Sequence, residues 1–183
     1  MVRFEADGTV ALMGTNADRH AVGTRLELDP DYIVAQVHRT GRAARFDTDD
    51  PAAPGTPELA REEGVRSGLA SPIVVAGELW GAISAGSRER RLAAGMERRL
   101  ADFTELVATA ISNTQARAEV ERLAAEQAAL RRVATLVARG AEPAAVFDAV
   151  AAEMEGLLGA DQVSLGRYEP GDEVSVVGSV RCV

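Results

Sequence analysis

The sequence predicts an α+β fold, with its strands gathered into antiparallel hairpins and its helices in separate stretches. Three observations predict it. Two apolar runs, residues 69–75 and 79–84, flank the tight turn Ala76-Gly77-Glu78. Residues 96–139 contain no Pro, lie between Gly95 and Gly140, and are dominated by Ala, Leu, Arg and Glu, all good helix formers. A hairpin pattern near the start of the chain returns near its end.

In chain order, residues 2–14 read as a hairpin. Val2 and Phe4 alternate with charged neighbours, Asp7-Gly8 is a strong turn signal, and Val10, Leu12 and Met13 continue beyond it. A loop over 15–25 and a short extended piece, 25–28, follow. A helix is expected over 30–40, capped by Asp29 or Asp31, with Pro30 in its first turn, Ile33, Val34 and Val37 as its apolar stripe and Gly41 as its stop. Residues 43–46 form a short strand, 47–57 a polar loop rich in Pro, and 56–63 a short helix stopped by Gly64. The runs of the central hairpin are nearly continuous rather than alternating, as in strands covered on both faces. The long helix, at about 1.5 Å per residue, would reach roughly 65 Å, more than a small domain is wide. A second helix over 143–158 carries Val146, Phe147, Val150, Met154 and Leu157 at helical spacing and ends at Gly159. Residues 162–181 form the last hairpin, turning at Pro170-Gly171-Asp172.

That hairpin repeats the first. RFEADGTVALMGT, from Arg3, lies over RYEPGDEVSVVGS, from Arg167, without a gap at an offset of 164 residues. Such a period suits a tandem array of whole domains rather than a solenoid of short units. The chain is therefore read as a window across such an array, from the first strands of one domain to the corresponding strands of the next.

Composition narrows the function. A net charge of −8 leaves no basic excess to neutralise phosphates, so nucleic acid is not an expected partner. Arg alternates with Glu along the long helix, as on a solvated face. Hydrophobic residues make up 46% and aromatics only 4%, so the core must be built from Val, Leu, Ile and Ala. The single cysteine, Cys182, excludes a disulfide framework within one chain. No apolar run approaches the roughly 20 residues that span a bilayer, and the N-terminus has no signal-peptide pattern. No membrane contact is expected, and a cytoplasmic location is.

Residues 64–89, GVRSGLASPIVVAGELWGAISAGSRE, and 99–117, RLADFTELVATAISNTQAR, resemble a GAF domain. The nearest kind is that found in tandem in actinobacterial sensor histidine kinases and related regulators. Residues 130–170 resemble the opening helix and first strand of a second copy. The resemblance implies an antiparallel sheet of about six strands, the first beside the last, with helices on both faces and a ligand cleft on one. It divides the chain into a GAF domain without its opening helix (1–118), a helical connector (119–129) and the N-terminal part of a second GAF domain (130–183). It also implies a non-catalytic sensor or relay of a two-component system, feeding an effector that this sequence does not contain. Neither a phosphoacceptor-histidine helix nor an ATP-binding glycine motif is present.

Val37, Phe46, Ile73 and Trp80 are the candidates for lining the cleft, although the same residues would serve a dry core. No cofactor is expected. His20 and His38 lack the surroundings of haem-binding members, Cys182 lacks the Cys-His context of bilin-binding ones, and the Asn-Lys-x-Phe-Asp-Glu pattern of cyclic-nucleotide binders is absent. Enzymes on this fold that reduce methionine sulfoxide need several thiols. The acidic loop with Asp47, Asp49 and Asp50 is read as solvated rather than cation-binding. In the long helix Val120, Leu123, Gln127, Leu130, Ala134 and Val137 follow a 3-4-3-4-3 spacing, an a/d seam with one polar member. A homodimer through this helix, with strand exchange by the second hairpin as an option, is the expected assembly; an unidentified small ligand is the other expected partner.

Overall fold

The computed structural model describes residues 1–16, 20–52, 56–171 and 173–181. The chain divides into two compact units, Met1–Thr114 and Gln115–Val183.

The first unit is built on a six-stranded sheet. Its strands are β1 (Val2–Phe4), β2 (Thr9–Leu12), β3 (Arg25–Glu27), β4 (Ala44–Asp47), β5 (Ser67–Val75) and β6 (Glu78–Ser87). Their order is β3-β2-β1-β6-β5-β4, so the first strand lies beside the last, and every pairing is antiparallel. The central β5–β6 hairpin closes through Ala76 and Gly77, both at positive φ (53° and 86°), as a two-residue type I′ loop requires. Across from it, Ile73 pairs with Gly81 and Val74 with Leu79, which leaves Trp80 as the extra residue of a β-bulge.

Helix α1 (Ile33–Thr40) packs on one face of the sheet, over β4, β5 and β6. Ile33, Val34 and Val37 pack there against Ala44, Ala70 and Ala82, with Val2, Phe4, Leu28, Tyr32 and Phe46 around them. The helix begins three residues later than expected. Asp29 spends its side chain on the Asp31 N–H (2.9 Å), forming its own turn, and the N-cap is Tyr32, which makes no side-chain cap. Gly41, at φ 64°, ends the helix and donates its N–H to the Val37 carbonyl. A short helix, α2 (Glu58–Glu62), lies in the connection to β5.

Alternate residues of β5, among them Ser67 and Ser71, turn to the other face. There the long helix α3 (Met96–Ala138) begins. The buried hydroxyls of Ser71 and Thr104 lie 3.3 Å apart, and Thr104 donates to the Ala101 carbonyl. Arg45 braces the start of α3. It donates to Asp47 (2.8 Å), to the Leu92 carbonyl and to Glu97, while Ser67 donates to Asp47 (2.6 Å) and accepts from the Leu92 N–H (3.0 Å). Hydrogen bonding to Arg45 and Ser67 holds the Asp47 carboxyl below the usual carboxylate range. Glu97 is lowered too, by its own backbone N–H at the helix start and by Arg45.

The second unit contains the rest of α3, helix α4 (Pro143–Leu158) and a separate two-stranded sheet of β7 (Gln162–Glu169) and β8 (Glu173–Arg181). Arg132 of α3 forks onto Glu153 of α4. Phe147 packs against β8 so tightly that a Cβ on Gly178 would lie 2.9 Å from its backbone. The last hairpin's expected turn includes Asp172, which lies outside the described residues, as does Cys182.

Candidate functional site

A cleft of about 1290 Å³ opens on the α1 face of the first unit, over the β1–β2–β3 half of the sheet. Strand alternation builds its floor. Val2, Val10 and Leu12 project from the β1–β2 pair, with Leu26 beside Val10 on β3. Val34 and Tyr32 approach from α1, Val65 from the residues after α2, and Ser84 and Gly86 from β6. The cleft is open to solvent, and although its floor is apolar more of its lining is polar than apolar, which differs from the predominantly apolar lining usual for small-molecule sites.

The rim is polar and mostly acidic. Among the described lining residues are the carboxylates of Glu27, Asp29, Glu62, Glu63 and Glu89, against the guanidiniums of Arg88 and Arg90 and the imidazole of His20. Burial pushes the Tyr32 phenol up to about 12, and the negative charges of Glu63 and Asp29 add to the shift. Tyr32 places its phenol hydroxyl on the cleft wall.

None of the four residues expected at a cleft is among those that line this one. Val37 is fully buried on the sheet-facing side of α1, and Phe46 packs at the margin of the same core, its ring over Gly68. Ile73 is fully buried in β5, and Trp80 is half-buried at the bulge. The residues that do line the cleft come from short strands at the start of the chain, whose alternation marked an inward face without saying whether that face was filled. His20 lines the cleft, while His38 is exposed and its ring lies 4.6 Å from that of Phe4.

The three aspartates of the acidic loop do not converge. Asp47 is held by Arg45, Asp49 by Arg91 (2.9 Å), and Asp50 accepts the Ala52 N–H (2.9 Å). Among the described residues no group of three or more His, Cys, Asp or Glu could hold a metal ion, and no helix is long and apolar enough to cross a membrane. In the second unit, Val120, Leu123, Gln127, Leu130, Ala134 and Val137 are all exposed along α3, whereas Ala129 on the same helix is buried.

No curated protein matches the sequence. Among solved structures, the bacteriophytochrome of the photosynthetic bacterium R. palustris is 16% identical with a TM-score of 0.67, over 100% of this chain and 42% of that one. The phycoerythrobilin-bound GAF domain of a cyanobacterial phytochrome is 18% identical with a TM-score of 0.50, over 63% of this chain and 75% of that one. A phycocyanobilin-bound GAF domain from a cyanobacterial phytochrome is also 18% identical, with a TM-score of 0.49 over 63% and 74%. At these identities the likeness is one of fold, and this chain spans less than half of the bacteriophytochrome. The sequence profile of the GAF domain matches residues 2–113, more than half of the chain, and the chain therefore belongs to the GAF domain family, a family of sensory modules.

Proposed function

We propose that this chain is a non-catalytic sensory and relay module, a tandem GAF region of a cytoplasmic signalling protein of the kind seen in actinobacterial sensor histidine kinases. The observation that carries this reading is the open cleft over the β1–β2–β3 half of the sheet, with the Tyr32 hydroxyl on its wall. The repeat at an offset of 164 residues supports the tandem arrangement. On this reading the first domain ends near residue 118, a helical connector covers 119–129, and a second domain begins near 130.

The route out of the cleft is short. Ser84 to Arg90, at the end of β6, form one wall, and the chain runs from there directly into α3. Arg91 is tied to Asp49, and Leu92 to Ser67 and Arg45, so the connection is fixed to β4 and β5. A ligand that prefers one arrangement of this wall biases the start of α3, and one without such a preference shifts nothing. The acidic rim favours an uncharged or cationic amphipathic molecule over an anionic one. Bilin is the competing ligand class, because two of the similar structures are of bilin-bound domains.

The exposed stripe on α3 supports a parallel homodimer, with Gln127 fixing its register. The second reading, a structural dimerisation module with no ligand, rests on this stripe alone. Native mass spectrometry and absorption spectra of the purified chain separate the readings. A retained small molecule that is lost in Leu26→Trp, which fills the cleft, is the expected result. Absorbance above the protein band marks a retained chromophore, and a mass matching a bilin assigns it to that class. Failure of cell extracts and of a neutral and cationic ligand panel to shift the melting of the first unit overturns sensing in favour of the structural reading.

A further inference from the structure

Strand β4 touches the cleft side of the sheet with one residue and the long helix with its two neighbours. It is an edge strand of four residues, paired only with β5. Its side chains alternate between the faces of the sheet. Phe46 turns to the α1 face, where its ring lies over Gly68 and 6.5 Å from the ring of Tyr32, tilted by 58°. That spacing and tilt suit an edge-to-face aromatic pair, and Tyr32 stands on the cleft wall. Arg45 and Asp47, on either side of Phe46, turn the other way. There Arg45 donates to the Leu92 carbonyl and to Glu97, in the first turn of α3.

Helix α1 joins the two sides. Tyr32 is its N-cap, and Val34 near its start also lines the cleft. At its other end only Gly41, Arg42 and Ala43 separate it from β4. Ala44, the first residue of β4, is buried in one cluster with Ile33, Val34 and Val37. Close-packed segments joined by so short a link transmit a shift rather than absorb it.

We infer that β4 is the lever by which the cleft acts on α3, with Arg45 as the positioning residue at its working end. A ligand that displaces the Tyr32 ring presses on Phe46, moves the edge strand and carries the Arg45 guanidinium with it. That guanidinium holds the helix start at two points, a carbonyl before it and a carboxylate in its first turn, and both contacts change together. An edge strand suits the task, because β5 and β6 are each paired on both sides and β4 on one. The route deepens the sensory reading and rests on it. It differs from the wall of Ser84 to Arg90, which reaches α3 along the chain, in crossing the sheet.

The test uses the full chain with no ligand added. Hydrogen exchange over residues 97–106 is compared in the unaltered chain, Tyr32→Leu, Tyr32→Phe, Arg45→Met and the double variant Y32L/R45M. Phe46→Leu, which removes the other ring of the pair, repeats the test should Tyr32→Leu fail to fold. Val75→Ala supplies a core truncation for comparison, at a buried residue outside the stretch of β5 that pairs with β4. The expected result is exchange at least about threefold faster in Tyr32→Leu, no change in Tyr32→Phe, which keeps the ring, and no further acceleration when Tyr32→Leu is added to Arg45→Met. Unchanged exchange in Tyr32→Leu overturns the inference. Equal acceleration with and without Arg45 overturns it too, because the coupling then runs elsewhere. Acceleration of the same size in Val75→Ala reveals a general loosening and does the same. A negative result removes this route and leaves the sensory reading standing. Failure of the ligand panel described above overturns the sensory reading, and with it the input to the lever, whatever the exchange cycle gives.

Discussion

Single residues settle several local questions here. Ala76 sits at φ 53° in the β5–β6 loop, a conformation that costs a residue bearing a Cβ about 1 kcal/mol or more. Ala76→Gly or Ala76→Asn is expected to raise the melting temperature of the first unit, with a gain of up to about 1 kcal/mol in denaturant titrations. Gly178 and Gly14 are counterparts in the repeat with opposite demands. A Cβ on Gly178 meets Phe147, whereas one on Gly14 meets nothing within 4 Å. Gly178→Ala is expected to destabilise the second unit by about 1–3 kcal/mol and Gly14→Ala to be near neutral, as read by chemical denaturation. Asp47 and Glu97 both have lowered folded-state pKa values, so their contribution is complete above the ordinary carboxylate range and is lost as pH falls through the lowered values. Arg45→Met is expected to flatten the acid side of the melting-temperature profile. Tyr32 has the opposite sense. Its folded pKa is raised to about 12, so stability is lost as pH rises above the ordinary tyrosine value near 10. The chain has two tyrosines, so in Tyr168→Phe the phenolate absorbance reports Tyr32 alone and should appear near pH 12.

At the scale of elements, most of the fold was legible because its signals are local. Asp7-Gly8, Ala76-Gly77 and the glycines ending α1 and α4 mark chain reversals by backbone chemistry alone, and the structure turns at each. The extent of α3 followed from composition between two glycines, to within a residue at its end. The start of α1 was less legible, because Asp29 can cap a helix or close its own turn, and only packing decides. The cleft was the least legible part. A run such as that in β5, apolar on both faces, conceals which residues meet α1 and which meet the far side. An empty space between Leu12, Val34 and Tyr32 leaves no mark in the sequence, since the same residues would fill a solid core. The α3 stripe was readable from spacing, and its members are exposed. On the helix pairing proposed above, replacing Leu130 by Glu is expected to lower dimer affinity without reducing helicity, whereas Gln127→Leu should strengthen association while loosening its register.

The molecule as a whole is two compact units sharing one uninterrupted helix, so a single melting temperature need not describe it. Substitutions in the first unit, such as Ala76→Gly, and in the second, such as Gly178→Ala, are expected to move separate transitions in a calorimetric scan. All twenty basic residues are arginines, and the forked guanidinium recurs in the Arg3, Arg45, Arg132 and Arg167 braces, where two donors meet the same neighbourhood. The duplicated hairpin has a further consequence for how the chain comes into being. The β7–β8 hairpin has the internal register of the β1–β2 hairpin, whose Val2 and Arg3 pair with Ala82 and Gly81 of β6, and it is therefore expected to compete for that edge during folding. On the ribosome the choice is made by order of emergence. Residues 1–90 can close their sheet while residues 162–181 are still unmade, at about 5–20 residues per second. Dilution from denaturant removes that head start and lets both hairpins compete at once, so refolding in vitro is expected to show a slow, low-yield phase that disappears when Val174 and Val176 are replaced by lysine.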